Sequence, residues 1–377
     1  MIKKPTTKKA QTKGSKTAST PKKVDSQKEK ELQKVIDECA KKYGVNSLMR
    51  GFPKKDNEED DWYNIQRFGT SVPSLDISLG GGIPVGRYTQ IAGLFSSTKT
   101  TQTLHIIAEA QKMGLVCAFF DIEGTSDEAY FRQCGVDYDS LLYSRPDGSE
   151  EAFEMMLRLQ KSGEVHLGVI DSLAALSPNK EQEIAMDETM RMGIPQQLLG
   201  EFFRKYQANN NRLSREGKRA FTLICINQIR EKIGSYGNPE YTPGGNAKDF
   251  AMSVDLRLRR GDWITEGSGE NKEIVGQVVK FKVEKNKTYR RMMTGEFDFY
   301  FTSENAANVE ELHNDKFKEM IILAVEFGII DRKGAWFMYK DQKFQGMPAL
   351  IDAFRNDDDL VEEVREEVLS LAVRQND

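Results

Sequence analysis

The chain has 377 residues, 38% of them hydrophobic, and a formal net charge of −4, which is room for one large domain with a sizeable core and a smaller one. No apolar run reaches the roughly 20 residues of a membrane span and no secretory leader is visible, so a soluble protein with no membrane partner is expected. Cys39, Cys117, Cys134 and Cys225 lack C-x-x-C spacing and only three histidines occur, which argues against a disulfide framework, a zinc site and a Ser-His-Asp triad.

Met1 to Val24 carries eight lysines and no acid. A segment so poor in apolar residues cannot offset its ordering entropy by burial, which predicts a disordered Lys-rich tail over 1–28, serving as an electrostatic arm for nucleic acid or as a solubiliser. Leu32, Val35, Ile36, Cys39, Ala40 and Tyr43 then recur at helical spacing before Gly44, predicting an amphipathic helix over 29–43. With a linker to residue 60 it forms a unit whose apolar stripe must be buried against its own domain or a neighbouring subunit. From 61 to 305, continuous apolar runs at 88–92, 116–121, 166–171 and 221–227 alternate with helical patterns at 99–112, 127–134, 150–162 and 195–215. Runs of this kind suit parallel strands buried on both faces, so the fold class is α/β, a central mostly parallel sheet flanked by helices, with ligands at the carboxyl ends of the strands. The alternating segments 254–259, 278–283 and 296–301 predict antiparallel strands that finish the sheet. A small α+β domain follows over 306–377, with a helix at 316–327, a hairpin at 335–342 and two closing helices.

Gly93-Leu94-Phe95-Ser96-Ser97-Thr98-Lys99-Thr100-Thr101 lies between a predicted strand and a predicted helix, the setting of a phosphate-binding P-loop. There the backbone N–H groups and the helix N-terminus face phosphate, Lys99 reaches its terminal oxygens, and the Thr100 hydroxyl ligates Mg²⁺. The pattern G-x-x-x-x-G-K-[ST] asks for glycine where Thr98 stands. Three further strand ends carry polar groups: Glu123 after one, Asp171 closing another in the form of a Walker B acid, and Gln228 placed to sense a phosphate. An Asp at a strand end also serves a turn. In a doubly wound sheet all of these converge beside Lys99, an arrangement for water attack on the γ-phosphate of ATP, with Glu123 orienting the water.

Gly81-Gly82-Ile83-Pro84-Val85-Gly86-Arg87, the Lys99 loop, Phe120-Asp121-Ile122-Glu123, Val169-Ile170-Asp171-Ser172, Asn227-Gln228-Ile229-Arg230, Gly237-Asn238-Pro239-Glu240, Gly244-Gly245-Asn246-Ala247 and Lys285-Asn286-Lys287 resemble, in this order, the RecA recombinase family. The likeness covers about 29–374. It implies a DNA-dependent ATPase that forms helical filaments on single-stranded DNA and drives homologous pairing and strand exchange with double-stranded DNA, in recombination and repair, in a bacterial or phage-infected cytoplasm. By the same resemblance Glu123 is the catalytic carboxylate, Asp171 the Mg²⁺ acid and Gln228 the γ-phosphate sensor. Asp127 and Tyr130 hold the adenine, and Lys285 and Lys287 reach a neighbour's γ-phosphate. It also implies two DNA-contacting loops, near 181–193, with Met192 and Gly193, and near 230–247. Arg204, Arg230 and Lys232 would meet phosphates there, Ile233 and Tyr236 would wedge between or stack on bases, and Gly234, Gly244, Gly245 and Asn246 would shape the second loop. Phe250 would sit in the subunit interface.

Departures from the family pattern are Thr98, the pair Leu94-Phe95 where bacterial members usually carry Pro-Glu, a second DNA loop one residue short, and Asp249 where Lys is usual beside Phe250. Phage-borne members also carry a residue other than Gly at the Thr98 position, which points to a phage-borne relative. The chain lacks a long acidic tail after Asp377 and gains the basic one, from which less autoinhibition and more non-specific DNA affinity are expected. Two alternatives share the core: a non-hydrolysing filament or mediator protein, and a hexameric helicase-type ring ATPase.

Overall fold

The computed structural model describes residues 26–49, 65–176, 194–231 and 240–374. The tail over 1–25, most of the linker, and Met192, Gly193, Lys232, Ile233, Gly234 and Tyr236 lie outside the described residues. The chain divides into two compact units, residues 1–53 and 54–377. The first holds helix α1 (Ser26–Tyr43), which begins at Ser26 rather than at the expected Glu29. It closes with the Gly44 amide donating to the Ala40 carbonyl at 3.0 Å, Gly44 sitting at φ 95° where a Cβ is disfavoured. Leu32, Val35 and Ile36 lie on its apolar stripe.

The second unit opens with a two-stranded ribbon, β1 (Arg67–Phe68) and β2 (Ile83–Pro84), around helix α2 (Pro73–Leu79). Strand β3 (Tyr88–Gly93) leads into α3 (Lys99–Lys112), β4 (Cys117–Asp121) into α4 (Glu128–Gln133), and β5 (Leu142–Ser144) into α5 (Ser149–Ser162). Strand β6 (Leu167–Asp171), α6 (Ile194–Arg215) and β7 (Thr222–Gln228) follow. The short β8 (Arg230–Glu231) and β9 (Glu240–Tyr241) pair antiparallel, and α7 (Gly245–Ala251) follows. The strands β10 (Val254–Glu266), β11 (Glu273–Asn286) and β12 (Met293–Tyr300) complete the series.

Eight of these strands form one sheet in the order β12-β11-β10-β3-β7-β6-β4-β5. Every residue of β3, β4 and β6 is buried, because helices cover both faces; that is why those strands read as unbroken apolar runs. One cluster, with Ile91, Leu104, Phe119 and Val169, fills one face, and a second, with Tyr88, Phe120, Phe202 and Phe221, fills the other. The alternating segments do pair antiparallel, β10 with β11 and β11 with β12, but β10 also joins the parallel array by pairing parallel with β3, Leu258 beside Gly93. The second loop was expected to run to Ala247; helix α7 already begins at Gly245, which places Gly245 and Asn246 in its first turn.

The boundary expected at 306 falls inside a segment that stays on the core. Leu312 N–H donates to Tyr300 O at 3.0 Å and Asp315 N–H to Asp298 O at 3.1 Å. The small domain proper starts at α8 (Lys316–Glu326), and the expected hairpin is the centre of a three-stranded sheet, β13 (Asp331–Lys333), β14 (Trp336–Tyr339) and β15 (Gln342–Gln345). Two closing helices, α9 (Met347–Arg355) and α10 (Asp358–Arg374), complete a core around Ile321, Phe337, Leu350, Phe354 and Val364.

Candidate functional site

Strands β3, β7, β6 and β4 are parallel neighbours, so their carboxyl ends lie along one edge. Gly93 ends β3 under severe crowding: a Cβ there would meet Ser97 Oγ at 2.3 Å and Leu258 O at 2.5 Å. The loop then turns through two residues of positive φ, Ser96 at 55° and Thr98 at 59°. The second is the position where the phosphate-loop pattern wants glycine, and Thr98 adopts the left-handed conformation all the same. Ser97 Oγ donates to Leu94 O at 2.8 Å, and Gln277 of β11 donates from Nε2 to Ser96 O at 3.2 Å, so the loop is held from inside and from a strand two places over in the sheet. Lys99 opens α3 with its ammonium on Leu94 O at 2.8 Å. Burial lowers its pKa, partly offset by the nearby Asp171 and Glu123 carboxylates.

Asp171 is the meeting point. The Thr100 hydroxyl donates to its Oδ2 at 2.8 Å. Its pKa is pushed up to about 7, first by burial and then by the Glu123 and Asp121 carboxylates, against the Thr100 hydrogen bond and Lys99. Next to it, Ser172 Oγ donates to Glu123 Oε1 at 2.7 Å and Gln228 Nε2 donates to the same oxygen at 3.4 Å. Lys99, Thr100, Asp171, Glu123 and Gln228 are thus brought together. Ser172 escaped the sequence reading because only the third dimension sets it against a residue 49 positions away. Asp121, also not singled out, is held below the usual carboxylate range: burial opposes this, but Ser126, Tyr143 and Gly124 all donate to it.

Thr101 faces inward, its hydroxyl 2.5 Å from the Tyr130 hydroxyl, which fixes α4 against α3. Asp127 caps α4 by accepting from Ala129 N–H at 3.2 Å. Leu94 and Phe95 point outward, Phe95 being 83% exposed.

Lys285 and Lys287 lie elsewhere. Lys285 pairs with Asp255, which pairs with Gln90 of β3. That is three residues short of Gly93 and two strands over, or about 10 Å along and about 10 Å across. Their ammonium groups donate to the carbonyls of Asp249 and Phe250 at the end of α7, and Phe250 itself is 78% exposed. Arg204 is exposed on α6 and Arg230 on β8. Gly244, at φ 112°, turns the chain into α7. A cleft of about 320 Å³ lined by Arg257, Arg259, Lys280 and Lys282 together with Glu240 and Glu284 adds a basic surface at the foot of the second loop. Its sequence signal was the alternation of cations along 257–259 and 280–282.

Two family descriptions match the chain, the RecA N-terminal domain over residues 30–305 and the RecA C-terminal domain over residues 318–372. Protein RecA of Haemophilus ducreyi is 38% identical over 350 residues, 92% of this chain and 87% of its own length. Protein RecA of Mannheimia haemolytica is 37% identical over 350 residues, 92% of this chain and 88% of its own. That of Acinetobacter baumannii is 37% identical over 348 residues, 92% of each. The core and the small domain therefore carry one and the same relationship, and the chain belongs to the RecA family, whose members bind nucleotide and DNA and oligomerise.

Proposed function

We propose that ATP is held between adjacent copies of the chain, Lys99, Thr100, Asp171, Glu123 and Gln228 of one copy acting with Lys285 and Lys287 of the next. The chain is a single-stranded-DNA-dependent ATPase that catalyses homologous pairing and strand exchange in recombination and repair. The observation that carries the site reading is the convergence of the strand ends, with Thr100 on Asp171 at 2.8 Å and Ser172 and Gln228 both on Glu123.

The residues fit Mg²⁺. A hydroxyl and a carboxylate side by side are hard oxygen donors, and Mg²⁺ takes one or two protein oxygens and completes its shell with water and substrate phosphates. Among the described residues no group of three or more His, Cys, Asp and Glu competes for it. When bound, it supplies positive charge to the phosphates. Thr100 and Asp171 hold it; Lys99 and the backbone N–H groups of Gly93 to Thr101 bind the phosphates; Asp127 and Tyr130 take the adenine. Glu123, kept in place by Ser172, orients the attacking water, and Gln228 links the site to the strand end that starts the second loop.

Lys285 and Lys287 sit too far down the sheet to serve their own phosphate loop, which supports a role in trans of the kind arginine fingers play. A head-to-tail contact of this sort gives a ring where its rotation closes and a helical filament where it does not; the filament is the form that membership of the RecA family favours. The apolar stripe of α1 and the exposed Phe250 are the surfaces it would cover. Arg204 and Arg230, with Lys232, Ile233 and Tyr236 from outside the described residues, serve as the contacts for single-stranded DNA, and the basic cleft of Arg257, Arg259, Lys280 and Lys282 receives the incoming duplex through phosphate contacts. The described cysteines are all unpaired and no described helix is long and apolar enough to cross a membrane, which suits the cytoplasm. The Lys-rich N-terminal segment serves as a basic arm, the segment carrying α1 as a docking unit, residues 61 to about 315 as the ATPase core and those from Lys316 onward as the small domain. Mixing circular single-stranded DNA with homologous linear duplex, ATP and Mg²⁺ tests the reading: joint molecules and exchanged strands are expected, and their absence refutes it.

A further inference from the structure

Lys248 is the least expected residue in the second unit. It is a lysine with 0% exposure, in the seven-residue helix that follows the second loop and carries Phe250. Lysine is almost never fully buried unless it is paired. Here the ammonium donates to Thr242 Oγ1 at 2.8 Å and to Asp249 Oδ1 at 2.6 Å. Its stem runs beneath Gly244, where a Cβ would lie 3.0 Å from Lys248 Cδ. That close approach gives Gly244 a second reason to be glycine, besides its φ of 112°.

The two partners of the ammonium belong to different functional parts. Thr242 lies between β9 and α7, at the far end of the second loop. Asp249 lies at the end of α7, beside Phe250, and its carbonyl receives Lys285. The loop end is also tied to the nucleotide side: Asn227 Nδ2 donates to Pro243 O at 2.9 Å and to Gln90 Oε1 at 3.0 Å, and Asn227 Oδ1 accepts from the Gln228 amide at 3.0 Å. Gln90 in turn donates to Asp255 at 2.9 Å. A buried network of this kind holds its members in one arrangement, because any member that moves away leaves an unsatisfied polar group behind.

We propose that Lys248 is a positioning residue that fastens the end of the second loop to the Phe250 end of α7, so that DNA engaged by the loop bears directly on the subunit contact and on Gln228. The inference rests on the reading above that the second loop meets DNA and that Phe250, Lys285 and Lys287 meet a neighbour. The physical reason is the cost of stranding a buried ammonium. If the loop end shifted while α7 stayed, the Lys248 ammonium, at 0% exposure, would lose Thr242 and keep only the half-exposed Asp249 carboxylate. The two segments therefore move together. A hydrophobic side chain in the same space would pack as well and would leave them free to move separately.

Lys248→Met tests this, since Met keeps an unbranched stem and removes the ammonium. The full-length chain is assayed for ATP turnover with and without single-stranded DNA, for the cooperativity of turnover against DNA concentration, and for its melting temperature. The expected result is a melting temperature shifted by no more than about 4 °C and DNA-free turnover within twofold of the original, with DNA stimulation reduced at least tenfold and a Hill coefficient falling towards one. Thr242→Val, which removes the loop-side acceptor at similar volume, should lower the stimulation by a comparable factor and decides the matter if Lys248→Met does not fold. Undiminished stimulation and cooperativity in the folded variant overturn the proposal, as does an equal fall of both turnovers together with the melting temperature, the mark of a purely structural role. If the unaltered chain itself shows no DNA-stimulated turnover, the functional reading fails first, and the inference with it.

Discussion

Glu123→Gln is the sharpest test of the site. The substitution conserves shape: the Gln carbonyl oxygen still accepts from Ser172 Oγ, now at 2.7 Å from Glu123 Oε1, and from Gln228. It touches neither Lys99 nor Thr100, so binding of nucleotide and Mg²⁺ should survive. What is lost is a carboxylate able to take a proton from water, a contribution of about 10² to 10⁴ in rate, or about 2.7 to 5.4 kcal/mol at 1.36 kcal/mol per decade. A second effect follows from Asp171, whose pKa is raised by burial and also by the Glu123 charge. Without that charge the Asp171 pKa falls, but the site also loses a negative charge that attracts the cation; the two effects oppose, and metal-dependent nucleotide affinity should stay within tenfold. Single-turnover hydrolysis with saturating single-stranded DNA, alongside titration with a fluorescent ATP analogue, separates the two quantities. Turnover within tenfold of the original, or affinity lost by more than tenfold, refutes the assignment.

Lys285→Ala combined with Lys287→Ala should leave the monomer folded but reduce DNA-stimulated turnover on the order of 10³-fold and abolish ATP-dependent assembly in light scattering; unchanged assembly contradicts the trans role. Thr98→Gly relieves a β-branched residue at φ 59°, worth about 1–2 kcal/mol, against about 0.5–1 kcal/mol of added unfolded-state freedom. Turnover should be preserved or raised with little change in melting temperature, and a tenfold loss means that this loop depends on the threonine. Glu319, buried in α8 with Oε2 lacking a hydrogen-bond partner, has its pKa pushed by burial up to about 7. Its folded pKa lies above its unfolded one, so its favourable contribution is complete below about 4.5 and is lost as pH rises to about 7. Glu319→Gln should therefore flatten the pH dependence of stability by about 1.4 kcal/mol per pH unit in that window; parallel profiles for the two proteins rule this out.

The sequence made the parallel core legible because strands buried on both faces leave unbroken apolar runs, and Asp171, Glu123 and Gln228 each stand where such a run stops. Helix α3 and the phosphate loop were legible for the same reason. The β10 register was less so: its alternation suggested antiparallel pairing alone, whereas one edge of the strand pairs parallel with β3 and the other antiparallel with β11. An amphipathic pattern reports burial and is silent on which neighbour supplies it. Ser172, though it closes a quoted motif, carried no sign of its partner, and Gln277 and Lys248 had no local signal at all. Ser172 resembles any turn serine, Gln277 lies in a polar-alternating strand, and Lys248 in a short helix reads as an exposed cation. Each acquires meaning only from a partner far along the chain or from the depth at which it is buried.

Strand β11 has one more consequence. At Gln277 it braces the phosphate loop through the Ser96 carbonyl, and eight residues later it presents Lys285 at the other end of the sheet. Eight residues of extended chain cover about 27 Å. On the intersubunit reading, one stiff strand therefore has a nucleotide at either end, its own protomer's and its neighbour's. Successive ATP molecules along the assembly would be strung on such strands like rungs on a rail, their spacing set by strand length. Loss of phosphate at one rung would then be felt at the next through backbone that cannot stretch.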